Sequence, residues 1–168
     1  MASKGTLAFV AYIATIFMAN WAIERFGIVP VGLGYSAPAG VYFAGLAFTC
    51  RDLVQEWLGR FWVVAAILAG AFLSWFVSPA FATASAIAFL ASELADFAVY
   101  TPLRRRTWLG AVTLSNSVGL VVDSVLFLWL AFGSLAFLPG QIIGKATMTA
   151  AAVAVLWLMR RPRLAGQV

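Results

Sequence analysis

Six apolar runs follow one another along the chain, separated by short polar breaks. The first covers residues 6–23 with Lys4 as the only charge before it, and its length exceeds a signal-peptide core, so an uncleaved first helix is expected. A Gly/Pro-containing loop over 24–34 leads to a second run over 35–54, where Gly40, Ala44 and Gly45 offer small residues for close helix approach. Residues 61–77 give a third span, Ser78-Pro79 a tight turn, and residues 80–101 a fourth, closed by Pro102 and Arg104, Arg105 and Arg106. The fifth covers 109–135. Pro139-Gly140 opens the sixth, which reaches Met159 and stops at Arg160, Arg161 and Pro162. The pattern predicts an all-α polytopic membrane protein in which residues 1–168 form a single bundle of six transmembrane helices.

Composition points the same way. The chain is 64% hydrophobic and 10% charged, with a mean hydropathy of +0.98, whereas soluble domains carry about 25% charged residues. A net charge of +5 might suggest nucleic acid, but Arg104–Arg106 and Arg160, Arg161 and Arg163 sit just outside apolar runs and read as topology signals. No nucleic-acid partner is expected. Placing these arginines, Arg51 and Arg60 on one side requires an even number of crossings. The opposite loops hold only Arg25, balanced by Glu24, so both termini are expected in the cytoplasm and the protein in the cell's inner (plasma) membrane. Cys50, the single cysteine, excludes an internal disulfide.

Five ionisable residues, Asp52, Glu93, Asp96, Asp123 and Lys145, lie in or at the edge of these apolar runs. An uncompensated charge near the bilayer centre costs at least ~2.5 kcal/mol, so such groups face a bundle interior, pair with each other, or line a solute pathway. Depth follows from the helical rise: with span midpoints at the bilayer centre, Glu93 and Asp123 fall near the midplane, Asp96 and Asn116 share a level toward the cytoplasm, and Lys145 lies roughly 7 Å toward the outside. Glu93 and Asp96 are i,i+3 neighbours, and Asn116, Gly119 and Asp123 form a second stripe in which Gly119 leaves space for a flat ligand. Glu93, Asp96, Asn116, Asp123 and Lys145 are therefore candidate substrate-binding residues. The alternative for Asp123 and Lys145 is an internal ion pair joining helices five and six, which a ligand can still displace or bridge. Arg51, Asp52, Glu56 and Arg60 cluster at the cytoplasmic end of helix two, as a surface ion network or as the closure of a cytoplasmic exit. Trp57, Trp62 and Trp108 read as interfacial anchors, and Trp21 and Trp129 as anchors or stacking partners.

Catalytic readings fail on residue type. The chain has no histidine, which removes HExxH zinc sites, Ser-His dyads and histidine-ligated haem. An aspartyl dyad of Asp96 and Asp123 lacks any sequence feature for a shared proton. The segment "GQIIGKAT" around Lys145 is one residue short of a phosphate loop and has Ala146 in place of the required Ser/Thr. No enzyme, cofactor or metal site is expected.

The succession "RDLVQEWLGR", "ASELADFAVYTPLRRRTWLG", "SNSVGLVVDSVLFLWLAFG" and "QIIGKATMTA" resembles the VUT family of small six-helix proteins, the queuosine precursor transporters. The resemblance runs from helix two to the C-terminus. It rests on Asp52, Glu56 and Gly59, on Glu93 and Asp96, on Ser115-Asn116, on Asp123-Ser124 and on Lys145. It implies import of a 7-deazaguanine such as 7-cyano- or 7-aminomethyl-7-deazaguanine. A guanine-like edge offers two neighbouring N–H donors and a carbonyl. Glu93 or Asp123 can accept the first, Asn116 or Lys145 can donate to the second, and Trp129 or Phe127 can cover the ring. Two rivals remain at this level: an energy-coupling-factor-type vitamin-binding subunit of similar size, and a structural or pore-forming membrane protein. The expected partners are the bilayer and a small deazapurine, and the reading allows a homo-oligomer.

Overall fold

The computed structural model describes residues 3–103 and 108–160. Arg104–Arg106, Arg161 and Arg163, read above as topology signals, lie outside them, as does the side chain of Trp108. Among the described residues six helices form: α1 (Lys4–Phe26), α2 (Val41–Trp57), α3 (Arg60–Trp75), α4 (Pro79–Leu103), α5 (Trp108–Phe132) and α6 (Leu138–Arg160). Ser3 caps α1 by accepting the Thr6 N–H, and Gly27, with φ of 62°, ends it. Gly59, with φ of 90°, breaks the chain between α2 and α3. Pro102 does not close α4, which runs one residue beyond it to Leu103.

The segment between α1 and α2 corrects the expectation. In place of a loop running into a helix at Tyr35, an antiparallel hairpin pairs β1 (Ile28–Gly32) with β2 (Tyr35–Pro38), and α2 begins only at Val41. Its turn is built on Gly32, Leu33 and Gly34, all at positive φ, the backbone that tight hairpins need. The Tyr42 hydroxyl donates to the Pro30 carbonyl at 2.9 Å and ties the hairpin to α2. The hairpin also packs on the start of α6, where a Cβ on Gly140 would collide with the Ser36 carbonyl.

Packing closes the helices into a ring in the order α1, α2, α6, α5, α4, α3 and back to α1. Two apolar clusters line it. One joins Tyr12, Ile16, Val54, Val63, Ile67 and Phe89 from α1 to α4, and the other joins Ile23, Ala84, Ala88, Phe127 and Leu128. The outer face is also apolar: Leu7, Phe61, Phe72, Leu94 and Trp129 are all more than half exposed. Arg51, Asp123 and Lys145 are buried. Apolar residues outside and ionised groups inside are the arrangement lipid demands. Among the described residues, α1, α4 and the 114–132 part of α5 are long and apolar enough to cross a membrane, and α3 is a shorter apolar helix.

The ring has two ends. The arginine end gathers the start of α1, the α2–α3 junction and Arg60, with Leu58 against Gly5 and Trp62 edge-on to Phe9. The hairpin end carries β1, β2 and the α5–α6 connection.

Candidate functional site

Lys145 and Asp123 form an ion pair across the α5–α6 seam, with side chains 2% and 4% exposed. The Lys145 ammonium also donates to Ser124 Oγ at 3.0 Å. On its other side α6 packs against a glycine of α2. A Cβ at Gly45 would stand 2.8 Å from the Lys145 carbonyl and 2.7 Å from Met148 Cβ, so only glycine lets α2 and α6 approach this closely. Thr149 Oγ1 donates to the Gly45 carbonyl at 3.0 Å and fixes the same contact.

A second cluster centres on Arg51. Its guanidinium donates through Nη1 to Glu93 Oε1 at 2.6 Å, through Nε and Nη2 to Asp52 Oδ1 at 3.0 and 2.7 Å, and through Nη2 to Asn116 Oδ1 at 3.2 Å. One planar fork thereby joins α2, α4 and α5, a geometry that a lysine cannot reproduce. Arg51 is 5% exposed. This corrects its placement in a surface network: it is a buried group and the partner of Glu93.

Beyond this cluster a cavity of about 430 Å³ opens between α2, α3, α4 and α5 at the arginine end. Asp52, Glu56, Arg60, Asp96 and Asn116 line it with Arg51, Gln55, Tyr100 and Ser115. The size lies within the range of small-molecule pockets. Asp96 Oδ1 is buried there with no hydrogen-bond partner among the described residues. Arg60 stacks over Phe97, its guanidinium carbon 4.3 Å from the ring centroid.

Deeper in the ring lies a smaller pocket of about 20 Å³, lined from five of the six helices, α3 being the exception. Asp123, Lys145, Gln141 and Ser85 are its polar groups, and Phe89 and Phe127 its aromatic ones. Ser85 Oγ donates to Asn20 Oδ1 at 2.7 Å, and Asn20 Nδ2 donates to the Ile16 carbonyl at 3.2 Å. Gln141 is 2% exposed, and its Oε1 has no hydrogen-bond partner among the described residues. Phe48 and Phe89 meet edge to face, centroids 6.5 Å apart, and Arg51 lies over Phe48. The pair thus connects Phe89, which lines the pocket, with Arg51, which lines the cavity. Tyr12, 1% exposed, lies within electrostatic reach of Glu93, Arg51, Asp123 and Asp52, and so links the two charged clusters.

The zone expected to hold five substrate-binding residues together is thus divided. Glu93 and Asn116 belong with Arg51 and Asp52, Asp96 faces the same cavity, and Asp123 belongs with Lys145 in the pocket. Gly119 leaves no room for a ligand, because α4 occupies that space: a Cβ there would meet the Ser92 carbonyl at 3.5 Å and Asp96 Cβ at 3.7 Å. Trp129 is 60% exposed on the outer face and cannot cover a ligand in the ring, whereas Phe127 lines the pocket. Trp21 stands edge-on to Phe26 at the rim, and Trp57 and Trp62 are exposed near the arginine end, as anchors would be. Asn20, Ser85, Phe89 and Gln141 escaped sequence reasoning. Their signal was weak, since uncharged groups in apolar runs resemble ordinary helix residues, and Gln141 beside Pro139-Gly140 reads as part of a helix start.

Residues 74–160, from the end of α3 through α6, match the family model described as "Putative vitamin uptake transporter". The matched stretch contains Glu93, Asp96, Asn116, Asp123, Gln141 and Lys145, and the Arg51 segment precedes it. No curated protein and no solved structure matches the chain. With more than half of its length accounted for in this way, and with buried charges gathered inside a ring of apolar helices, the chain belongs to the vitamin uptake transporter (VUT) family.

Proposed function

We propose that the protein imports a queuosine precursor, 7-cyano- or 7-aminomethyl-7-deazaguanine, into the cytoplasm across the inner membrane. In this reading all six helices span the bilayer, both termini are cytoplasmic, and the arginine end faces the cytoplasm. The observation that carries it is the alignment of charged groups inside the ring: an open polar cavity leads to Arg51, Glu93 and Asn116, then to the Phe48–Phe89 pair, then to Asp123 and Lys145. A structural bundle has no use for such an axis, since each buried charge costs insertion energy. With a cavity at the cytoplasmic end and the hairpin across the other, the arrangement corresponds to an inward-open state.

A guanine-like edge suits these groups. Carboxylates of Glu93, Asp96 or Asp123 accept its neighbouring N–H donors. Asn116, whose Oδ1 is held by Arg51, presents its Nδ2 to the carbonyl, and Lys145 provides the same donation deeper in. Arg51, Asp52, Glu56 and Arg60 gate the cytoplasmic exit. Transport proceeds without an ATPase or cofactor of the protein's own. Uptake of labelled 7-cyano-7-deazaguanine tests the proposal. Asn116→Ala and Glu93→Gln should abolish it at near-normal abundance in the membrane, and full uptake by both variants would return the cluster to a packing role.

A further inference from the structure

We infer that the pocket at the centre of the ring is where the ligand is selected, and that Gln141 is a specificity-determining residue there, its Oε1 accepting an N–H from a flat heteroaromatic ligand. This deepens the queuosine-precursor reading and rests on it. Nothing in the family match distinguishes Gln141 from its neighbours.

Three observations carry the inference. Gln141 is 98% buried and lines the pocket, and among the described residues its Oε1 has no hydrogen-bond partner. An amide oxygen in that position is unfavourable unless a donor reaches it. Gln141 also stands one helical turn before Lys145 on α6, so the two side chains share a face and the pocket presents an acceptor, an ammonium and the Asp123 carboxylate together. Finally, Phe89 and Phe127, each 6% exposed, place aromatic rings in the same wall. An apolar site with a few convergent polar groups is what a small planar ligand requires.

The free volume, about 20 Å³, holds about one water molecule, so a ring system enters only as α5 and α6 part. Across that seam Lys145 donates to Asp123 and Ser124. A ligand with a carbonyl beside two N–H groups replaces these bonds so that each charged group keeps a hydrogen bond: its carbonyl accepts from Lys145, its ring N–H donates to Asp123, and its exocyclic amine donates to Gln141. Binding and opening of the seam are then one event. An adenine-like edge reverses the donor and acceptor at the carbonyl position and leaves Lys145 without an acceptor.

The test pairs a change in the protein with a change in the ligand. Uptake of labelled 7-cyano-7-deazaguanine is competed with the unlabelled compound and with its analogue lacking the exocyclic amine. The wild type should prefer the amine-bearing compound by roughly tenfold or more. Gln141→Met, close in volume but without the acceptor, should reduce that preference to about twofold or less, mainly by weakening the amine-bearing compound. Gln141→Glu, which keeps an acceptor, should retain the preference. Gln141→Leu repeats the measurement if the methionine variant does not accumulate, and Gln141→Ser, whose short hydroxyl stops short of the pocket, serves if neither does. Undiminished preference in Gln141→Met, Gln141→Leu or Gln141→Ser, with normal wild-type uptake, overturns the assignment of Gln141 and leaves the transporter reading standing. Absence of wild-type uptake overturns that reading and this inference with it.

Discussion

Replacing Lys145 by methionine tests the buried ion pair at its most sensitive point. Both partners are almost completely enclosed, and the ammonium satisfies Asp123 and Ser124 together. Methionine fills a similar volume but leaves the Asp123 carboxylate uncompensated, a change that commonly costs ~3–5 kcal/mol for a buried pair. For a chain of this size 1 kcal/mol corresponds to a shift of about 2–4 °C in Tm, so the expected fall is about 6–20 °C. Adding Asp123→Leu removes the stranded charge, and Ser124 can then donate to the carbonyl four residues earlier in its own helix. The double variant should recover most of the lost stability, because two apolar groups in place of a buried pair are often neutral. Thermal unfolding of the purified protein in one detergent, followed by tryptophan fluorescence, measures all three proteins on one scale. A double variant no more stable than Lys145→Met would refute the pairing as the reason for the loss. The recovered protein should still fail in uptake, since both groups are proposed to meet the ligand.

Arg51→Met should also destabilise, but less than Lys145→Met, because Glu93 is 18% exposed and water can reach it; a larger loss in the same unfolding assay would contradict that ranking. Gly45→Ala should cost about 1–3 kcal/mol, since its methyl group would lie 2.8 Å from the Lys145 carbonyl, and an unchanged Tm would show that α2 and α6 have room to separate. Reporter fusions at the C-terminus and after Arg106 should report the cytoplasm, and insertions at Leu33, 84% exposed at the hairpin tip, or at Ser134 should report the outside; a C-terminus on the outside would contradict the six-span orientation.

The helices were legible because each apolar run is bounded by glycine, proline or arginine. The hairpin was not, since Tyr35, Ala37 and Pro38 adjoin an apolar helix and disappear into its hydropathy. Its marks were local: Val29 and Val31 in alternation, and Gly32 and Gly34 flanking a turn. The pairing of Lys145 with Asp123 was accessible because few charges exist to choose from. Arg51 was misplaced because a residue near a helix end is expected to reach for water. Here its long side chain turns inward to Glu93, 42 residues away in sequence, and no one-dimensional periodicity encodes that contact. Depth arithmetic put Glu93 and Asp123 at one level, but it fixes only height along the bundle and says nothing of azimuth around the ring.

The central claim, that the polar axis of the ring carries a deazaguanine inward, meets its most direct test in a host that neither makes nor imports the queuosine precursor. Expressed there and supplied with 7-cyano-7-deazaguanine, the wild-type protein should restore queuosine to transfer RNA. Asn116→Ala, present in the membrane at the same abundance, should not. Absence of queuosine with wild-type protein in the membrane, or its full restoration by Asn116→Ala, would contradict the account.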